Sequence, residues 1–189
     1  MVVESPSGRG GGAVDKLTTR EGRRGADAGR GVLYVTSVKG LQSTMDDDSV
    51  ARIKEFFSQG IPFNRFLGLE LLEISGGRAQ MRLPFRDDLV GDPFRPALHG
   101  GVIATLLDAT GGAAVWSMLN LSDRVSTIDI RVDYFRPGRL EELHAVGTVR
   151  RVGGRVGVAS IRAFHPSQPD ETVAEAMGVF NVRRDADPR

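Results

Sequence analysis

Two groups stand out as able to do chemistry. His99-Gly100-Gly101 opens a long apolar run, and Asp108 is the one formal charge within it. The run ALHGGVIATLLDATGGAAVWSMLNL spans 97–121. Free backbone N–H groups at a helix start form a ready site for an anion or an oxyanion. Glycine lets a ligand approach that backbone closely, although Gly-Gly also simply permits tight packing. A carboxylate in apolar surroundings is costly unless it is paired or functional. Desolvation raises its pKa, and hydrogen bonds to the ionised form lower it. Asp108 is therefore either a satisfied structural acid or a base.

Composition narrows the chemistry further. The 189 residues contain no Cys and only three His: His99, His144 and His165. Thiol nucleophiles, disulfides and Cys-based metal sites are excluded, and neither a metal nor a cofactor is expected. With 25 Lys+Arg against 24 Asp+Glu, the net charge of +1 gives no footprint for nucleic acid. The charge is uneven. Residues 1–45 hold 7 Lys+Arg, 4 Asp+Glu and 9 of the 24 Gly. That Gly/Arg-rich segment lacks a hydrophobic period and reads as a disordered tail, outside the function. It has no apolar run typical of a secretory signal. Translation starting at Met45 is the simplest alternative. A cytoplasmic protein is expected.

The elements that must position these groups follow from periodicity. Asp46-Asp47-Asp48-Ser49 is a helix start, with Val50, Ile53, Phe56 and Phe57 as its apolar stripe and Gly60-Ile61-Pro62 as its end. Leu67–Ile74 and Arg78–Leu83 read as a hairpin, and 84–98 as a loop. The run 97–121 is long enough to raise the question of a membrane span. A central Asp costs about 2.5–3.5 kcal/mol there, so a buried helix of about 20 residues in a water-soluble domain fits better. Four strands follow: Val125–Phe135, Leu143–Arg151, Val156–Phe164 and Val173–Val182. In the first, strict alternation puts Ile128, Ile130, Val132 and Tyr134 on one face and Thr127, Asp129, Arg131 and Asp133 on the other. His144 and His165 read as strand-surface residues.

A helix this apolar needs cover on most sides. One antiparallel sheet curved around it supplies that cover, which is the α+β hot-dog architecture. It is expected over 46–184, with 185–189 as a C-terminal tail. Gly100 and Asp108 are eight residues apart, roughly 12 Å along the axis and 80° in azimuth. They cannot both reach one carbonyl from a single helix. Two antiparallel copies can, so a shared site requires a C₂ homodimer, and a dimer of dimers is expected.

HGGVIATLLDATGGAA followed by the strand STIDIRVDYFRPG resembles the PaaI-like acyl-CoA thioesterases of the hot-dog superfamily. The resemblance covers roughly 60–182. It implies hydrolysis of an acyl-CoA, with Asp108 as general base on water or as nucleophile and Gly100 polarising the carbonyl beside Gly101. His99 then shapes the loop or touches the carbonyl, and Thr127 positions the water. Relatives often carry Asn six residues before the His; here the position is Pro93, so either Asp92 or Arg95 substitutes for it or the role is absent. The phosphates of coenzyme A call for basic groups, for which Arg150, Arg151 and Arg155 are candidates, with Arg136 weaker. Leu107, Val115, Trp116, Phe63 and Phe66 are candidate acyl-site walls. Two rival readings follow from the altered loop. One is a hot-dog enoyl-CoA hydratase or dehydratase, and the other a non-catalytic acyl-CoA-binding regulator.

Overall fold

The computed structural model describes residues 47–185. The expected N-terminal tail lies outside the described residues, as does nearly all of the C-terminal one.

Helix α1 (Asp47–Glu55) runs into a π-helical turn at Phe56–Gly60. The turn is closed by the Ile61 N–H donating to the Phe56 carbonyl at 3.1 Å. A wide turn of this kind often marks a functional site. Here it sets Phe56 and Phe57 side by side against one partner ring. Helix α2 (Pro62–Leu67) starts with Pro at its first position, where a missing N–H costs nothing. It ends on Gly68 at φ 73°, a left-handed cap that glycine adopts freely. The expected strand start at Leu67 is thus corrected: Leu67 closes a helix, and strand β1 is Glu70–Ser75.

Strand β2 (Arg78–Leu83) pairs with β1 across the Gly76-Gly77 turn. The expected loop contains a short 3₁₀ turn at Asp87–Leu89 and a small hairpin, β3 (Val90–Asp92) with β4 (Ala97–Leu98). Helix α3 (Gly100–Trp116) has 17 residues, shorter than the expected 20. Four strands complete the order: β5 (Arg124–Tyr134), β6 (Leu143–Val152), β7 (Val156–Phe164) and β8 (Thr172–Arg183).

Six strands form one antiparallel sheet in the order β1-β2-β6-β7-β8-β5, and α3 packs on β2, β5, β6, β7 and β8. Ile103, Leu106, Leu107 and Val115 of α3 are almost wholly buried, each worth about 1.5–3 kcal/mol. Glycines let the helix settle onto the sheet. A Cβ on Gly157 would stand 2.5 Å from Val115 Cγ1, and one on Gly147 would stand 3.0 Å from the Thr110 carbonyl. Thr110 itself is buried and donates to the Leu106 carbonyl at 2.6 Å, so it leaves no unpaired hydroxyl.

Two expectations are corrected in the sheet. His165 is not a strand-surface residue: it is buried just beyond β7. Its Nδ1–H donates to the Glu142 carbonyl at 2.8 Å, and its Nε2 accepts from Arg139 N–H at 2.9 Å. The ring pins the Pro137–Glu142 loop. His144 does sit on the sheet but is half-covered, with Nδ1 at 3.2 Å from Gln80 Nε2.

The alternation along β5 is also broken. Thr127 pairs with Phe180 and Asp129 with Val179, leaving Ile128 without a partner. Beyond this bulge, Ile130, Val132 and Tyr134 stand opposite Gly178, Ala176 and Ala174, on the helix side. Thr127, opposite the buried Phe180, shares that side, and Ile128 is pushed out to 58% exposure. One extra residue has shifted the face of the strand. Among the described residues, no helix is long and apolar enough to cross a membrane.

Candidate active site

The start of α3 is held by its own side chains. His99 is the N-cap, in extended conformation, and its Nδ1 accepts from Gly101 N–H at 2.9 Å. That interaction satisfies one orphan donor of the helix. Gly101's amide is therefore held by the His99 ring within this chain. Accepting at Nδ1 leaves His99 Nε2 as the ring's donor.

The chain segment before the helix is clamped from both sides. His99 N–H donates to the Leu89 carbonyl at 2.8 Å, and Leu98 N–H to Gly138 at 2.9 Å. Gly91 makes this crossing possible, since a Cβ there would lie 2.6 Å from His99 Cα. Tyr134, which the sequence did not single out, donates from its hydroxyl to the Gly100 carbonyl at 2.8 Å. Burial raises the Tyr134 pKa and keeps the phenol a donor. Gly100 is thus fixed by its carbonyl. Its N–H has no partner within α3, because it is the first residue of the helix.

Asp108 lies two turns further along α3 and is half-buried. The Thr127 hydroxyl donates to its Oδ1 at 2.8 Å. Burial pushes the carboxyl above its ordinary value of 3.8, and the Thr127 bond pulls part of the way back. The group is a more basic carboxylate than an exposed one, in reach of a hydroxyl that orients it.

Asp108 opens into a cavity of about 510 Å³. Phe56, Phe57, Ile61, Trp116 and Phe180 give it apolar walls. Trp116 packs against Phe56 at 5.4 Å and Phe57 at 5.3 Å between ring centroids, and its Nε1–H donates to the Asp123 carbonyl at 3.1 Å. Asp123 is buried and polar, and the sequence reading missed it. Burial opposes its ionisation, but N–H bonds from Asp185 and Asn120 and the Arg184 guanidinium hold its carboxyl below the usual range. It fastens the cavity's far loop to the end of the sheet.

The two glycines of the adjacent pair Gly111-Gly112 in α3 differ. A Cβ on Gly111 would stand 2.8 Å from Phe180 Cζ and 3.0 Å from Ile161 Cδ1, so packing requires Gly111. A Cβ on Gly112 would meet only Phe180 Cε1, at an ordinary 3.7 Å. A glycine inside a helix costs about 1 kcal/mol relative to alanine, so Gly112 carries that cost without a packing reason.

The structure brings together Asp108, Thr127, Phe63 and Trp116 around one cavity. Other candidates lie elsewhere in the chain. Leu107 and Val115 are core residues, and Phe66 is 64% exposed, stacked on Phe63. Asp92 accepts from the Phe94 and Arg95 amides and pairs with Arg95, so it closes its own turn and does not line the cavity. Arg150 is the unpaired residue of a second bulge, bonded to Ser160 Oγ at 2.8 Å on a groove that does not include Asp108. Arg151 and Arg155 flank the β6–β7 turn, exposed. Arg136 pairs with Glu171. Within one chain, none of these arginines reaches Asp108's cavity.

A helix wrapped by one antiparallel sheet defines a hot-dog protein, and here Asp108 of that helix faces a cavity. The sequence pattern of the thioesterase superfamily matches residues 96–172, which include α3 and β5 to β7. A putative esterase of Halobacterium salinarum is 37% identical over 148 residues, 74% of this chain and 97% of that protein. A medium/long-chain acyl-CoA thioesterase of Escherichia coli, YigI, is 35% identical over 65% of this chain and 87% of its own length. A crystal structure from Shewanella oneidensis, of a protein related to the thioesterase superfamily, superposes with a TM-score of 0.65 at 30% identity, covering 71% of this chain and 95% of that one. The chain belongs to the thioesterase superfamily and is a thioester hydrolase.

Proposed function

We propose that this chain hydrolyses acyl-CoA thioesters as a homodimer, with Asp108 as the base that activates water. The observation that carries this reading is the Asp108 carboxylate, made more basic by burial, bonded by Thr127 and facing an apolar cavity. The acyl-CoA thioesterase among the relatives supports the choice of substrate.

The steps follow from the groups present. The acyl chain occupies the apolar cavity. Thr127 donates a hydrogen bond to Asp108 Oδ1, so its oxygen remains able to accept one from a water. Asp108 removes a proton from that water as it attacks the thioester carbonyl carbon. The carbonyl oxygen becomes an oxyanion and accepts from the Gly100 N–H of the partner subunit, at the helix start where backbone donors and dipole favour negative charge. Collapse breaks the C–S bond. Asp108 returns its proton to the leaving thiolate, giving a carboxylic acid and free coenzyme A. No metal or cofactor enters these steps.

The second copy is needed because Gly100 and Asp108 share one rigid helix. The edge strand β5 supports such pairing: it is eleven residues long, and Ile128, Tyr134 and Phe135 on or beside it are at least half exposed. Unpaired edges of this length are templates for another strand. Arg151 and Arg155 are proposed to meet the coenzyme A phosphates.

The test is thiol release from a panel of alkyl and aryl acyl-CoAs. Turnover with stoichiometric free coenzyme A supports the reading. Acyl-CoA binding without release, or hydration of an enoyl-CoA in its place, contradicts it.

A further inference from the structure

The cavity face of α3 carries Asp108, Gly112 and Trp116 at successive four-residue steps. From Asp108 to Trp116 the helix rises roughly 12 Å. Gly112 lies between them, and its bare backbone is not demanded by packing, unlike that of Gly111. The Trp116 end is rigid, since the ring is wedged against Phe56 and Phe57 and tied by its N–H to Asp123.

We propose that Gly112 and Trp116 form a chain-length gauge for the acyl group. The missing side chain at Gly112 is the room through which a straight acyl chain passes along α3, and the Trp116 ring is the stop. An extended carbon chain advances about 1.25 Å per atom, from bonds of about 1.5 Å and angles of about 111°. Roughly 12 Å therefore holds about nine or ten carbons beyond the reacting carbonyl. The preferred substrate class is a saturated, unbranched acyl thioester of about ten carbons. The inference rests on the reading that the thioester carbon sits at Asp108.

The experiment compares kcat/KM for acetyl-, hexanoyl-, decanoyl- and hexadecanoyl-CoA in the full chain and in Gly112→Ala, Gly112→Leu and Trp116→Leu. The native chain is expected to peak at decanoyl-CoA, with hexadecanoyl-CoA at least fivefold lower. Gly112→Leu should cut the decanoyl-to-acetyl ratio at least tenfold, and Trp116→Leu should raise the hexadecanoyl-to-decanoyl ratio. Gly112→Ala should raise Tm by a few degrees, because alanine is the better helix former and finds space, while it lowers the decanoyl-to-acetyl ratio. If Gly112→Leu fails to fold, the Gly112→Ala ratio decides. Ratios within twofold of native in the Gly112 variants overturn the gauge while leaving acyl-CoA hydrolysis intact. A native chain that releases no coenzyme A from any of the four overturns the underlying reading, and the gauge with it.

Discussion

The Thr127 hydroxyl reaches the Asp108 carboxylate at 2.8 Å because Ile128 bulges out of β5. Without that extra residue, Thr127 would share a face with Asp129 and point away from α3. The bulge joins the sheet edge to the helix and places the hydroxyl that offsets part of the effect of burial on the Asp108 carboxyl.

Removing the hydroxyl should therefore move a pH profile. The proposed base, Asp108, can take a proton only when ionised, and its pKa is raised by burial and lowered in part by Thr127. Activity should fall on acidification at a higher pH than an ordinary carboxylate near 3.8 would give. Thr127→Val should shift this acid limb further upward and lower kcat. Thr127→Ser should restore both. An unshifted limb in Thr127→Val would show that the bond does not tune the base.

Which parts of this site are legible in the sequence depends on how local their causes are. The Asp108 helix and its HGG start can be read because a charge in an apolar run, and glycines before it, are local signals. Six main strands are likewise visible in their period. The side of β5 that faces the helix is not, because a bulge depends on pairing with β8 and leaves no mark on the alternation. The pattern shows Tyr134 only as a strand residue, because its bond to Gly100 links positions 34 apart. Asp123 and His165 gain their roles from the chain ends and loops that close over them. The π-helical turn at Phe56 has no sequence signature beyond the Gly-x-Pro that follows it.

The Gly100 amide is testable at a single atom. Gly100 is the first residue of α3, and His99 before it is extended, so proline fits both constraints. Gly100→Pro should keep Tm near native while lowering kcat about 10²–10³-fold, the typical effect of deleting one oxyanion donor. Gly100→Ala, which retains the N–H, should lose far less. Equal losses in the two variants would assign the effect to bulk near the carbonyl.

Sharing of the site between copies predicts complementation. Gly100→Pro and Asp108→Asn homodimers should each be nearly inactive. After mixing and subunit exchange, one site per heterodimer regains both groups, so about a quarter of native activity should return in an equimolar mixture. No recovery despite verified exchange would place both groups in separate roles.

Asp123 predicts an acid-sensitive stability. Its folded pKa is lowered, so its contribution is present above the unfolded pKa and is lost as pH falls through the folded one. Asp123→Ala leaves the Asn120 and Asp185 amides without their acceptor, which should cost roughly 1–3 kcal/mol at neutral pH. Urea titrations of both proteins should converge as the pH drops below the carboxylate range. A gap that stays constant down to low pH would contradict this role.

The central claim is that Asp108 activates the attacking water, and the most direct measurement is kcat for coenzyme A release by Asp108→Asn. The substitution keeps size and can still accept from Thr127, so the far-UV spectrum and oligomer size should match the native chain. The expected result is a fall of at least 10²-fold, within the range for loss of a general base. Turnover near the native rate in a folded Asp108→Asn would contradict the account.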